Sequence, residues 1–504
     1  MDWCRNMRIN QLRMGTMISL LSVGIGSVIQ LFYTPIFLNY LGSSDYGINS
    51  FIQSIMGYLS MLNLGFGTTM LRYLVQYEEK NEIEKYKYLV GIFLVIFIIL
   101  SLICIIIGIL IYSNLPFFLQ DSFSFEEIMK TQKIFLILLI NMSISFPFII
   151  CSTYIHSKER FLYLRGLSFF TLVMNPITGL ILLKFGFGLV AITVSTLCYS
   201  ILTIILNIFY SVYLGIKIKF YFKDFTLIKE LFKFSFYIFL GILIDRLYWS
   251  TDRLIIGKYL GAATVGVYSI SSVFNQMYMS ISTSVSEVLS PKVNQLTVKK
   301  SNLEISDLFI KVGRIQYILM GLICTGFLLF GKEFITFWVG KSYSKDIYYM
   351  TLWIMLPLTV PLIQNTGIVI LQAKNLHKFR SLIYFIIALL NIFFSLILVN
   401  NYGALGCSIG TGISFCIGNI IIINIYYYKK VELDIVQFWK EILHMTYPIF
   451  ISIILGYILK YFLPPSTILL LLLEIVLYTI VYILLMFLRG LNKEEKKMIV
   501  QFWK

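Results

Sequence analysis

Charge is what this sequence has least of. Of 504 residues only 13% are Asp, Glu, Lys or Arg, against 58% hydrophobic. A soluble chain of this length needs far more charge to cover its surface, so a soluble globular fold is excluded. Histidine is scarce at three residues, and the seven cysteines are scattered with no CxxC pair. Neither a metal site nor a disulfide framework follows from them. Alternation of polar and apolar residues is missing, which removes the transmembrane barrel. Long loops are missing too, the longest connection being about 20 to 25 residues. No soluble catalytic domain fits on either side. The stretch from Gly15 to Leu38 is too long for a cleaved leader and lacks a small-residue cleavage site, so it reads as a first span.

What is present is a series of apolar runs of about 20 residues, enough to cross a hydrocarbon core of roughly 30 Å. The expected spans are 15–38, 47–71, 89–112, 134–155, 166–183, 189–214, 234–257, 264–290, 315–330, 348–373, 381–399, 405–428, 441–459 and 467–488. The fold class is therefore all-α, a polytopic membrane protein of about fourteen helices. With the N-terminus inside, 31 of the 41 Lys and Arg fall on inside segments and 8 on outside loops. That bias places both termini on the cytoplasmic face. The net charge of +16 belongs to that face, and no folded basic surface remains for nucleic acid.

The segment Tyr40-Leu41-Gly42-Ser43-Ser44-Asp45-Tyr46-Gly47-Ile48 matches Tyr259-Leu260-Gly261-Ala262-Ala263-Thr264-Val265-Gly266-Val267, 219 residues on. Asn175 with Phe185-Gly186 resembles Asn391 with Tyr402-Gly403 at an offset of 216 to 217. A near-constant offset argues for duplication of six spans, and an even number keeps the copies parallel. The expected organisation is a six-helix lobe over 1–214, a linker over 215–233, a second six-helix lobe over 234–428, and two added helices over 429–504. A tight glycine turn used twice would also account for the YLG motif alone.

The seventh span carries Asp245-Arg246-Leu247-Tyr248-Trp249-Ser250-Thr251-Asp252-Arg253. Residues seven apart share nearly one helix face, so Asp245 stacks over Asp252 and Arg246 over Arg253, with Trp249 between the arginines. Charges inside a span are costly and face a bundle interior or a wet cavity. Arginine can chelate phosphate oxygens and tryptophan offers a face to a sugar or a cation. An anionic, sugar-bearing substrate fits this set; helices pinned by neutralised Asp–Arg pairs fit it equally. Span eight is rich in polar residues, among them Asn275, Gln276 and Glu287, with Ser272, Gln276, Ser280 and Ser284 in one stripe. Such a stripe is either a cavity wall or interhelical glue. The second span carries Gln53 and ends in Leu64-Gly65-Phe66-Gly67, with Arg72 five residues on as a phosphate contact or an ordinary interfacial anchor. Glu474 stands alone in span fourteen. Gly326 to Lys332 matches GxxxxGK by count, yet Glu333 replaces the required Ser or Thr and no strand precedes it, so no ATP-binding loop is expected. An ion gradient, the membrane potential or the substrate gradient would supply the driving force.

The YLGxxxYG turn, the LGFGxxxxR end of span two, and Asp252-Arg253-Leu254-Ile255-Ile256-Gly257 running into YLGxxxVGVY resemble polysaccharide-biosynthesis flippases of the O-antigen (Wzx) type. These belong to the multidrug/oligosaccharidyl-lipid/polysaccharide exporter superfamily. The resemblance covers essentially the whole chain. It implies that an undecaprenyl-pyrophosphate-linked glycan crosses from the inner to the outer leaflet of the bacterial cytoplasmic membrane by alternating access. No cofactor is implied beyond coupling to a Na+ or H+ gradient, and the partners would be membrane lipids and the glycan polymerase and chain-length machinery. Arg246 and Arg253 become the leading cavity cations. The rivals are a drug/cation antiporter of the same superfamily, normally with twelve spans and acidic cavity residues, and a membrane-embedded polymerase or glycosyltransferase. The enzyme needs a substantial outside loop or an acidic pair, and the first outside loop offers only Asp45.

Overall fold

The computed structural model describes residues 2–220, 225–298, 302–374, 376–493 and 495–496. Among them every regular element is a helix. They divide into two compact units, Met1–Gly266 and Val267–Lys504.

The first unit begins with α1 (Asp2–Ser60), which breaks at Gly42 (φ 77°, ψ 175°), a conformation open in practice only to glycine. After a short 3-10 turn come Leu64 and Gly65, both left-handed (φ 50° and 70°), and then α2 (Phe66–Glu79). A left-handed leucine stores strain of about 1–3 kcal/mol. The expected second span is thus broken at its LGFG motif. The unit continues with α3 (Ile83–Leu119), α4 (Phe125–Ser157), α5 (Phe161–Lys184), α6 (Leu189–Tyr213) and α7 (Phe225–Leu260). Helix α4 starts on a reciprocal capping box between Ser124 and Glu127, which satisfies two of its orphan N–H groups.

The second unit holds most of α8 (Ala262–Val298), then α9 (Asn302–Val339), α10 (Ser344–Ile363), α11 (Thr366–Ala373) and α12 (His377–Phe415). The last of these breaks at Gly403 (φ 59°) and runs through π-helical turns and α13 (Ile423–Tyr426) to Val431. It ends with α14 (Ile435–Phe462) and α15 (Ile468–Leu485). Arg314 of α9 ties these last helices down. Its guanidinium, only 2% exposed, pairs with Glu441 of α14, with both oxygens of Glu495 (2.7 Å each), and with the Gly490 carbonyl (3.0 Å). Burial opposes the charge on Glu495. The hydrogen bonds from Arg314 and from the Asn492 backbone outweigh it and hold that carboxyl below its usual pKa.

Among the described residues ten helices are long and apolar enough to cross a membrane. Two of them, Met17–Glu79 and Phe379–Val431, each carry two of the fourteen expected spans across a glycine break. Helices α7 and α8 are outside the ten. They bear the repeated Asp–Arg pair and the polar stripe, so a count of fourteen requires both to cross in spite of their polarity.

The duplicated motif has a structural counterpart. Gly42 and Gly261 both take positive φ (77° and 84°), as do Gly186 and Gly403 (79° and 59°). A further matched pair, Gly215 and Glu432, 217 residues apart, is left-handed at the ends of equivalent helices (φ 81° and 61°). The second glycine of each YLG motif does different work. A Cβ at Gly47 would fall 1.7 Å from the Ala262 carbonyl oxygen, and one at Gly266 would fall 2.3 Å from that of Ser43. Ser43 and Ala262 are themselves 219 apart, so the two copies touch through reciprocal glycine contacts.

Candidate functional site

In the first unit α7 lies along the end of α1 and along α2. At the start of this seam Thr69 and Ser235 hydroxyls meet at 2.7 Å and the Tyr73 hydroxyl donates to Glu230 (2.9 Å). Arg72, exposed, lays its guanidinium 4.4 Å from the centroid of the Phe234 ring. Phe66 is sealed between Phe93 and Phe232 in edge-on contacts, each worth about 0.5–1.5 kcal/mol beyond burial. The left-handed Gly65 lets its backbone pass Ile238, where a Cβ would clash at 2.4 Å.

Farther along, half-buried Arg246 rests on Gly57 of α1, with Nη1 3.4 Å from where a Cβ would stand. Next to it the Tyr58 hydroxyl pairs with the Thr251 hydroxyl and lies 3.3 Å from the Arg246 carbonyl, locking α7 to α1. The Nε of Arg246 is buried with no hydrogen-bond partner among the described residues. Gln53, exposed, stands one turn before Gly57 on the same face of α1, and so shares this surface with Arg246. Half-buried Arg253 lies within electrostatic reach of Tyr46, and Trp249 packs edge-on to Tyr248 at 5.0 Å. The seam therefore brings Gln53 of α1 and Arg72 of α2 alongside the helix α7 that carries Arg246, Trp249 and Arg253.

Burial separates the stacked acids. Asp245 is exposed whereas Asp252 is 3% exposed. Asp45 is also buried and is committed to Lys130 (2.6 Å), so it is not a free acid at the first outside loop.

In the second unit α8 has two polar faces. Ser271, Asn275, Ser282 and Ser286 are buried, and Gln316 of α9 donates to Ser282 and to Ser286 (2.9 Å). That face is glue between helices. Ser272, Gln276, Ser280 and Ser284 lie on the other face, half-buried or exposed. Of the expected candidates Gln276 is on the open face and Asn275 is on the glued one. The side chain of Glu287 lies outside the described residues. Residue types alone did not reveal Gly57, the Tyr58–Thr251 lock or the break at Leu64. The one available signal was the LGFG motif, which places two glycines around the strained turn.

A family model described as polysaccharide biosynthesis protein matches residues 40–347. A curated relative, the probable low-salt glycan biosynthesis flippase Agl15 of Haloferax volcanii, is 22% identical over 196 residues. That match spans 38% of this chain and 41% of the relative's length. Among solved structures the fold is similar to the lipid II flippase MurJ in an inward closed conformation, with a TM-score of 0.75 and 20% identity over 93% of this chain and 98% of the other. It is also similar to an inward-facing MATE family multidrug resistance transporter of the MOP superfamily, with a TM-score of 0.64 and 13% identity over 86% and 99%.

Proposed function

Because the chain belongs to the polysaccharide biosynthesis protein family, we propose that it is a flippase for an undecaprenyl-pyrophosphate-linked oligosaccharide. The observation that carries this reading is the row of three arginines along the α7 seam. From the Phe234 level, where Arg72 rests, to Arg246 is twelve residues, or about 18 Å of helix. Arg253 follows about 10 Å farther on. A pyrophosphate crossing hydrocarbon needs fixed cations at successive depths, since each step between them would otherwise bare its charge to lipid. Arginine suits the task because its planar fork holds phosphate oxygens and never loses its proton. Trp249 stands between the two deeper arginines, where a sugar ring attached to the pyrophosphate would lie.

The substrate would be the repeat unit of O-antigen, capsule or exopolysaccharide, moved from the inner to the outer leaflet of a bacterial cytoplasmic membrane. The termini are cytoplasmic in this reading, and an H+ or Na+ gradient supplies the driving force. Two six-helix lobes (1–214 and 234–428) alternate access, α14 and α15 receive the lipid tail, and the polymerase and chain-length machinery take the product. A polymerase or transferase is disfavoured because Asp45, the acid at the first outside loop, is locked to Lys130.

The test is export in cells. Arg246→Ala and Arg253→Ala should each abolish surface glycan while the protein remains in the membrane at its normal level. Full glycan assembly by both variants refutes the assignment.

A further inference from the structure

A cavity of about 370 Å³ lies among α4, α5 and α6 of the first unit, away from the α7 seam. Its size falls in the range of roughly 300–1,000 Å³ usual for small-molecule sites. Each helix contributes an asparagine, Asn141, Asn175 and Asn207 in turn. The side-chain oxygens of all three are buried and find no hydrogen-bond partner among the described residues. Asn207 is 8% exposed. Buried acceptors are almost always paired, so three orphans in the wall of one cavity mark a place that the described residues leave unfinished.

The neighbouring hydroxyls do not supply those protons. Ser145 donates to the Asn141 carbonyl (2.7 Å), Ser152 to that of Ile149 (2.9 Å), Thr196 to that of Ile192 (3.1 Å) and Thr203 to that of Tyr199 (2.8 Å). Their oxygens are left to accept. No lining residue is Asp, Glu, Lys, Arg or His. A bare cation would therefore give up its water with no carboxylate to replace it. Tyr199, set edge-on to Phe170, and Phe148 add flat apolar surface to the wall. Acceptors beside an aromatic face and no charge match a sugar ring, which has donating hydroxyls at its rim and C–H bonds on its face.

The second copy of the repeat shows what the closed form of this feature looks like. Asn391, the counterpart of Asn175, is fully buried, and its side-chain oxygen accepts from Ser395 (3.0 Å) and Thr411 (3.1 Å). At the position of Ser395 the first copy has Gly179, where a Cβ would fall 2.7 Å from the Tyr33 hydroxyl. At that of Thr411 it has Val194, with no hydroxyl. The first copy thus keeps the acceptor and lacks its internal donors.

We infer that this cavity is a sugar-recognition subsite that takes an uncharged, hydroxyl-rich ring from the head group of a lipid-linked glycan. The inference rests on the flippase reading and adds the part of the protein that distinguishes glycan from bare lipid pyrophosphate.

The test uses the full chain in phospholipid nanodiscs, free of glycoside detergent. The probes are undecaprenyl pyrophosphate and the same lipid carrying an oligosaccharide. The double variant Asn175→Leu/Asn207→Leu should bind the glycan-bearing lipid about tenfold more weakly than the native chain, as expected for lost hydrogen bonds. It should bind the sugar-free lipid equally well. Unchanged affinity for both lipids would mean a cavity that holds water alone, and equal weakening of both would mean a structural role; either overturns the subsite. Arg246→Ala should weaken both lipids, and its failure to do so would count against the flippase reading and not against the cavity. Should the native chain bind neither lipid, a panel of methyl glycosides read by saturation-transfer NMR decides the matter. Glycoside binding lost in the double variant upholds the subsite, and its absence from the native chain refutes it.

Discussion

Replacing Arg314 by leucine should loosen the C-terminal helices without touching the α7 seam. The native guanidinium is almost fully buried and makes contacts to Glu441, to both oxygens of Glu495 and to the Gly490 carbonyl. Removing one member of a buried ion cluster typically costs about 3–5 kcal/mol, because the remaining charge is stranded. Here the lower end applies, about 3 kcal/mol, since the Glu441 side chain is 33% exposed and can regain water. At roughly 1.4 kcal/mol per tenfold, the open population of the segment after α15 should rise about a hundredfold. Limited trypsinolysis at Lys493 and Lys496, with cleavage slower than reclosing, reads that population directly. Adding Glu441→Gln and Glu495→Gln to Arg314→Leu removes the stranded charges and should restore most of the protection. The reasoning fails if cleavage of the single variant stays within about threefold of native, or if the triple variant is cut as fast as the single.

The same cluster sets a pH dependence. The Glu495 carboxyl is held below its usual pKa, so its stabilising contribution is complete above the ordinary glutamate range, about 4.3, and is lost as pH falls through its lowered folded value. Trypsin-independent probes such as hydrogen exchange should show the segment after α15 opening on acidification, and Arg314→Leu should remove that dependence. Gly266→Ala places a methyl 2.3 Å from the Ser43 carbonyl oxygen, which should cost about 1–3 kcal/mol or prevent folding; native-like yield and monodispersity would contradict the close crossing. Tyr58→Phe removes the hydroxyl that joins Thr251 and should cost about 1 kcal/mol in thermal stability while lowering glycan export. Phe234→Leu withdraws the ring under Arg72 and should weaken export more than Phe236→Leu, whose ring lies under no arginine among the described residues; equal effects would remove Arg72 from the seam's function.

Much of the architecture could be read in the chain before any coordinates. Apolar runs are legible because a helix in lipid must satisfy its own backbone and present hydrocarbon all round, a demand met residue by residue. The positive-φ glycines at 42, 186, 261 and 403 were legible for a related reason, since no other residue takes those turns cheaply. The added helices were legible as apolar runs, but nothing local to Arg314 shows that Glu441 and Glu495, more than a hundred residues on, close around it.

The charged stretch of α7 marks the limit. Composition and heptad spacing announced that Asp245, Arg246, Asp252 and Arg253 share a side of one helix. They did not say that Asp252 would be buried and Asp245 exposed, that Arg246 would rest on a glycine of another helix, or that Arg72 would stack on Phe234. Nor could periodicity sort α8 into a glued face with Asn275 and an open one with Gln276. Local sequence determines what a segment is, because helix formation and membrane crossing depend on neighbours a few residues away. Which polar side chain is spent on packing and which is left for a substrate depends on the partner brought opposite it from a hundred or more residues away, and only the tertiary structure decides that.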